Sequence, residues 1–177
     1  AQGDYIAFFD HDDLLDKLVL FRYAQAIVKD PETDVLYCDE DFLTEAGDLI
    51  NPHFKSEFNI DLLRCHNYVT HLLTVRAGLA KTLRLRTEFD GAQDYDFVLR
   101  LSELTDRFTH IPEVLYHWRM SDSSTAKDSG NKSYAAEAGL RALTEHYARV
   151  DLDVSVEHAP FSCFYTTTYH VESNPLV

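Results

Sequence analysis

Short apolar runs that end in acids recur along the first part of this chain. Tyr5–Phe9 is apolar, aromatic and β-branched, which predicts a buried strand, and Asp10-His11-Asp12-Asp13 follows at once. Leu18, Phe21, Ala24 and Val28 recur at helical spacing within Lys17–Lys29, and Pro31 stops that helix. Asp34–Cys38 predicts a second short strand, closed by an acidic turn, Asp39-Glu40-Asp41. Phe42-Leu43 and Leu49-Ile50 flank Glu45-Ala46-Gly47-Asp48, the pattern of a small hairpin.

Further on, short helices are expected over Asn59–Cys65 and Arg76–Leu83, with a strand over Tyr68–Val75 between them. Asp90-Gly91-Ala92 reads as a loop. Gln93–Leu104 is an amphipathic helix with Phe97, Val98, Leu101 and Leu104 on one face. Phe108–Ile111 and Val114–Trp118 are strands on either side of Pro112. Ser121–Asn131 is polar and loop-like, and Lys132–Arg149 is a long helix. Val154–Val156 and Phe164–Val171 alternate as exposed strands do. The strand-helix-strand opening argues for an α/β architecture, with a more mixed arrangement later.

Thirty acidic residues against 16 basic give a net charge of −14. A broad basic surface for nucleic acid is therefore excluded. An anionic substrate would need positive charge from elsewhere, and a divalent cation held by carboxylates is the obvious source, although most of these acids need do no more than keep the protein soluble. No run of 18 apolar residues is present, so nothing in the sequence predicts a transmembrane segment. Cys38, Cys65 and Cys163 lack metal-site spacing and fit buried, reduced thiols in a cytoplasmic compartment.

The candidate chemistry lies in Asp10-His11-Asp12-Asp13 and Gln93-Asp94-Tyr95-Asp96. Ligands of open α/β sheets bind at the carboxyl ends of strands, and carboxylates two apart can offer oxygens to one hard cation. Spacing alone leaves a second account open, in which Asp12 or Asp13 caps the next helix and Asp94 and Asp96 answer the helix dipole.

Five segments in order resemble the family 2, GT-A type glycosyltransferases. Gly3-Asp4-Tyr5-Ile6 with Asp10-His11-Asp12-Asp13 resembles the segment around the DxD motif, and Tyr37–Asp41 the acidic turn after the next strand. Asn67–Leu72 is similar to the stretch toward the acceptor side, Asp90–Asp96 to the segment carrying the catalytic base, and His110–Arg119 to the strand pair that closes the site. The resemblance implies a partial GT-A fold, a mixed sheet with flanking helices, over residues 1–150, with 151–177 a β-rich linker toward a following domain. It also implies transfer, with inversion, from a nucleotide-sugar donor to a glycan or lipid-linked acceptor, for bacterial surface polysaccharide. Asp94 matches the base, Asp12 and Asp10 the ligands of Mg²⁺ or Mn²⁺, and His117, 23 residues after Asp94, a further ligand. Asp10, Asp13, Asp39, Asp41, His71, Gln93, Trp118 and Arg119 are implied around the substrates, with Gln93 standing where the family often has Glu. Packing and solvation are the plain alternatives for Trp118, Asp39 and Asp41.

Family members open with a nucleotide-binding half that has no counterpart before Ala1, and Asn174–Val177 resembles the lead-in to a second such domain. A chain starting there is expected to be inactive alone, and to cover the edge of its Tyr5–Phe9 strand either by dimerising or with the Phe164–Val171 strand. The expected location is cytoplasmic, peripheral to the inner face of the membrane. Two other classes stay open: another metal-dependent, phosphate-handling enzyme such as a phosphoesterase, and a non-catalytic module that binds glycan or a protein partner.

Overall fold

A computed structural model describes residues 2–120 and 129–171. One mixed sheet organises them. Its strands are β1 (Tyr5–Ala7), β2 (Leu14–Leu15), β3 (Val35–Leu43), β4 (Leu49–His53), β5 (Thr74–Arg76) and β6 (Phe108–Arg119), in the order β1-β5-β3-β6-β2 with β4 beside β3. β3 and β6 run parallel at its centre, and every other pairing is antiparallel. The helices are α1 (Val19–Lys29), α2 (Ile60–Leu63), α3 (Ala77–Leu83), α4 (Gln93–Ser102) and α5 (Ser129–Arg149). β7 (Val154–His158) and β8 (Tyr165–Tyr169) form a separate hairpin. No described helix is long and apolar enough to cross a membrane.

The alternation of β3 divides the core. Val35 and Tyr37 pack with Leu63, Val75, Phe97 and Leu101 on the face covered by α4 and α5. Leu36 and Cys38 pack with Val19, Tyr23, Ile111 and Tyr116 on the α1 face. In α1 the buried residues are Val19 and Tyr23, whereas Phe21 and Val28 of the expected apolar stripe are 60% and 79% exposed. Tyr23 anchors the helix by donating its hydroxyl to the Leu72 carbonyl at 2.8 Å. Leu104 likewise lies past the end of α4 and is exposed.

Four local expectations change. Asp39-Glu40-Asp41 is not a turn but the middle of β3, paired with β6. Pro112 does not divide two strands: β6 runs through it, because Cys38 faces Ile111 while Asp39 already faces Val114. Pro112 and Glu113 bulge out of the ladder, where a missing N–H does no harm. Of the expected Tyr68–Val75 strand only Thr74 and Val75 are extended in the sheet, and Arg76, expected in the next helix, continues β5. The fourth concerns the free edge of β1, which Phe164–Val171 does not cover, since β8 pairs with β7; among the described residues β1 has β5 as its sole strand neighbour. The expected loop over Ser121–Asn131 lies outside the described residues up to 128, beyond which α5 has begun, and Asn174–Val177 lies outside them too.

Two sets of ion pairs lock the elements. Asp34, 1% exposed, accepts from Arg76 Nε and Arg107 Nε, each at 2.8 Å, and from Thr105 at 2.7 Å, tying β3 to the chain before β6. Asp96, fully buried, pairs with Arg86 and Arg100, and Arg100 also donates to the carbonyls of Leu83 and Arg84.

The hairpin is pinned by Tyr165. Its ring stacks on Tyr95 with centroids 5.8 Å apart, and its hydroxyl donates to the Ala136 carbonyl at 3.0 Å. This fit needs Gly139, because a Cβ there would lie 2.0 Å from the Tyr165 hydroxyl. Gly139→Ala is expected to lower stability by about 1–3 kcal/mol despite the better helix propensity of alanine. Thermal melting checks the loss, and amide exchange should place it in β7 and β8.

Candidate active site

The turn after β1 folds back over the end of β6. Asp13 accepts from the Tyr116 hydroxyl and from the Arg119 amide at 2.8 Å, and Arg119 Nε donates to the Asp12 carbonyl at 2.5 Å. The Tyr116 ring stacks on His71, with centroids 4.3 Å apart and planes within 8°. One tyrosine therefore sets the position of both an acid and an imidazole. Burial, together with the Asp13 carboxylate it faces, pushes the Tyr116 phenol up, so it remains a donor.

Ligand atoms of Asp10, Asp13 and His71 lie within 4.8 Å of one another. The resemblance implied Asp10, Asp12 and His117 instead. Asp12 is about half exposed and turned toward His11, 3.8 Å away, and His117 holds Asp41 Oδ1 through Nδ1 at 2.6 Å, both residues being buried. Neither belongs to the Asp10, Asp13 and His71 group. Asp39 is also turned inward, accepting from the Lys55 amide at 2.9 Å and contacting His110 Nε2 at 2.7 Å.

Behind His71 lies a buried charge pair that the sequence did not single out. Glu40 Oε2 meets His71 Nδ1 at 2.8 Å and Lys55 Nζ at 2.9 Å, and Lys55 also donates to the His71 carbonyl at 2.9 Å. The Lys55 side chain has no exposed surface. Burial alone would raise the Glu40 carboxyl, but contacts with His53 and His71 and the Lys55 ammonium hold it far below the usual range. An ionised carboxylate only accepts, so His71 Nδ1 is the donor in this contact and Nε2 is the nitrogen that would serve as a ligand. Signals for this pair existed in the sequence, in an acid inside β3 and a lysine after β4, but only the fold joins them.

Asp94 stands in the first turn of α4, after a turn at Gly91 whose φ of +88° suits glycine. Gln93 bends back to accept from the Gly91 amide at 2.8 Å, so it secures the helix start. Asn67 Nδ2 donates to Asp94 Oδ2 at 3.0 Å. Burial raises the Asp94 carboxyl above its usual value, against the Tyr95 and Asp94 amides, His71 and Asn67, which favour the charge. Asp94 therefore binds a proton more strongly than an ordinary aspartate while lying beside a cavity of about 460 Å³. Trp118 connects the two parts of the site: it lines this cavity and lies 5.5 Å, centroid to centroid, from His71. Its other partner is Phe42, stacked at 5.4 Å.

No family model matches the chain. An uncharacterized protein of Sinorhizobium fredii, y4gI, is 43% identical across the whole chain, and the O-antigen biosynthesis protein RfbC of Myxococcus xanthus is 40% identical across the whole chain. The chain spans 20% and 14% of their lengths. An uncharacterized glycosyltransferase of Methanocaldococcus jannaschii, MJ1057, is 24% identical over 68% of the chain and 43% of its own length. The fold is also that of S. aureus TarS: the structure of TarS 1-349 in complex with UDP superposes over 84% of this chain and 48% of that chain, with a TM-score of 0.54 at 18% identity.

Removing the Glu40 charge strands Lys55 in the interior. Glu40→Gln is expected to cost about 3–5 kcal/mol at neutral pH. The folded-state value lies below the unfolded one, so the contribution of Glu40 is complete above about pH 4.3 and is lost as pH falls toward the depressed value. Urea unfolding of both proteins from pH 7 to pH 3 should show the gap narrowing below pH 4.

Proposed function

We propose that this chain, the catalytic-side portion of a GT-A type glycosyltransferase, transfers a sugar from a nucleotide-sugar donor to a hydroxyl of a glycan or lipid-linked acceptor in surface-polysaccharide synthesis. The observation that carries the proposal is Asp94: a carboxyl of raised proton affinity, at a helix start, on the wall of a cavity that reaches through Trp118 toward the Asp10, Asp13 and His71 group. The O-antigen role named for the M. xanthus relative and the UDP in the TarS structure support the choice of pathway and donor class.

In this reading Asp94 accepts the proton of the acceptor hydroxyl. The hydroxyl oxygen bonds to the anomeric carbon as that carbon's bond to the diphosphate oxygen breaks. Attack from the face opposite the leaving group inverts the configuration. Asn67 holds the Asp94 carboxylate in place. Carboxylates with an imidazole that offers Nε2 fit a small hard cation, Mg²⁺ or Mn²⁺, so Asp10, Asp13 and His71 would hold it. When bound, it supplies Lewis-acid neutralisation of the departing diphosphate. Tyr116, Glu40 and Lys55 keep its ligands in register. Residues 1–150 carry this chemistry alongside a nucleotide-binding half of the GT-A type, in a cytoplasmic setting. Association of two copies through the β1 edge belongs to the same proposal.

Asp94→Asn in the full-length protein is expected to lower kcat by about 10²–10⁴-fold, because base catalysis contributes on that order. Binding of the nucleotide sugar, measured by calorimetry, should stay unchanged. Near-normal turnover would exclude Asp94 as the base. In the unaltered protein the acid limb of kcat/KM should lie above the ordinary aspartate value of about 3.9, since burial favours the protonated form that cannot act as base.

Exchange of Asp10 or His71 for alanine is expected to weaken Mn²⁺-dependent binding of a nucleoside diphosphate by about tenfold or more, and of Asp12 or His117 by less. Mn²⁺ paramagnetic resonance titrations with UDP compare the four variants.

A further inference from the structure

The chain after α5 contributes to the site. The connection between β7 and β8 brings Ser162, Cys163 and Phe164 to the same 460 Å³ cavity that Asp94 lines. That connection is fixed at its C-terminal end by Tyr165, whose amide also donates to the Cys65 carbonyl at 2.8 Å. Phe164 presents a flat face stacked on His66, centroids 4.4 Å apart and planes at 18°. The half-buried indole of Trp118 lines the cavity as well.

We propose that this cavity seats the acceptor, that the β7–β8 connection forms one of its walls, and that it selects an uncharged sugar ring over an anionic acceptor. The inference rests on the transfer function proposed above and names the substrate class of that site. Three observations support it. About 460 Å³ lies within the range of ligand pockets, and the lining combines aromatic surface with polar groups from His66, Asn67, Thr70, Asp94 and Ser162. A pyranose ring has faces made of C–H bonds that lie against an aromatic ring, as Phe164 and Trp118 offer, and hydroxyls at its rim.

Charge supplies the second observation. Among the described residues, no lysine or arginine lines the cavity. Its ionisable groups include Asp94 and His66, and burial lowers the His66 imidazole, favouring its neutral form. A phosphate or uronate here would sit by a carboxylate in a chain of net charge −14, with no lysine or arginine among the described lining residues to offset it. A neutral ring avoids that penalty.

Polar atoms supply the third. His66 Nδ1 and Asn67 Oδ1 are buried and have no hydrogen-bond partner among the described residues, and both residues line the cavity. Asn67 must turn its amide nitrogen to the Asp94 carboxylate, which fixes the oxygen as the unpaired atom. A ligand carrying several hydroxyl groups brings donors to this wall.

The test uses the full-length protein and three probes: methyl hexopyranosides, methyl 6-deoxyhexopyranosides and methyl hexopyranosiduronates. Saturation-transfer NMR and calorimetry are expected to show binding of the neutral glycosides, with the uronates weaker by about tenfold or more. Phe164, 39% exposed, can be truncated without opening the core. Phe164→Ala should weaken the neutral glycosides by about tenfold while Phe164→Tyr restores them, and neither should alter nucleoside diphosphate binding. Uronates binding as well as neutral glycosides, neutral binding indifferent to Phe164→Ala, or no glycoside binding at all would each overturn the proposal. Glycoside binding that depends on Phe164 in a protein with no affinity for nucleoside diphosphates would support the sugar site and overturn the transfer function.

Discussion

The contact on which the site most depends is that of Tyr116 with two partners at once. Its ring fixes the plane of His71, and its hydroxyl holds Asp13. The two partners come from segments 58 residues apart, the turn after β1 and the chain before β5, while Tyr116 itself belongs to the long strand β6. A buried phenol that keeps its proton is suited to this, because it donates to a carboxylate without adding charge to an already acidic cluster. The same strand supplies Trp118 to the cavity and His117 to the Asp41 pair. β6 is therefore the common support of the Asp10, Asp13 and His71 group and of the cavity beside Asp94, and it is itself held in a parallel ladder with β3.

The interior also uses charge where an apolar core would be simpler. Lys55 and Glu40 are sequestered beneath His71, Asp39 faces His110, and Asp41 faces His117. A buried pair contributes little net stability compared with packed hydrocarbon, yet separating its partners is costly, so each pair strongly favours one arrangement. Placed behind a ligand, such a pair restricts the directions in which that ligand can point. The carboxylates of β3 thus face histidines of β6 and of the turn before β5.

Much of the site was legible where the sequence is local. The apolar run before Asp10 and the amphipathic pattern after Gln93 each marked an element whose end meets the cleft, and both elements form. Asp39, Glu40 and Asp41 were not legible: three adjacent acids suggest a solvated turn unless one knows that Lys55, His71, His110 and His117 wait on neighbouring segments to pair with them. Pro112 misled for a related reason, since a bulge that tolerates proline is set by the partner strand, not by the residues around it. The exchange of Asp12 for Asp13 in the gathered group is finer still. Adjacent residues of a tight turn point different ways, and Tyr116, more than a hundred residues later, holds Asp13 inward. His66 and Phe164, nearly a hundred residues apart, carried no signal at all until the hairpin brought them face to face.

The notch that Gly139 leaves for the Tyr165 hydroxyl separates two tasks in the chain. Tyr165, buried in that notch, and Val154 and Val156, packed on the core, hold the hairpin, whereas the exposed residues 162–164 line the cavity beside Tyr165. The segment works as an exchangeable jaw on a fixed pivot. Its tip can diversify in sequence while the pivot, and the Asp94 carboxyl on the same cavity, stay as they are. Under the acceptor site proposed above, a lineage needing new glycan linkages would explore partner choice at these positions without disturbing Asp94.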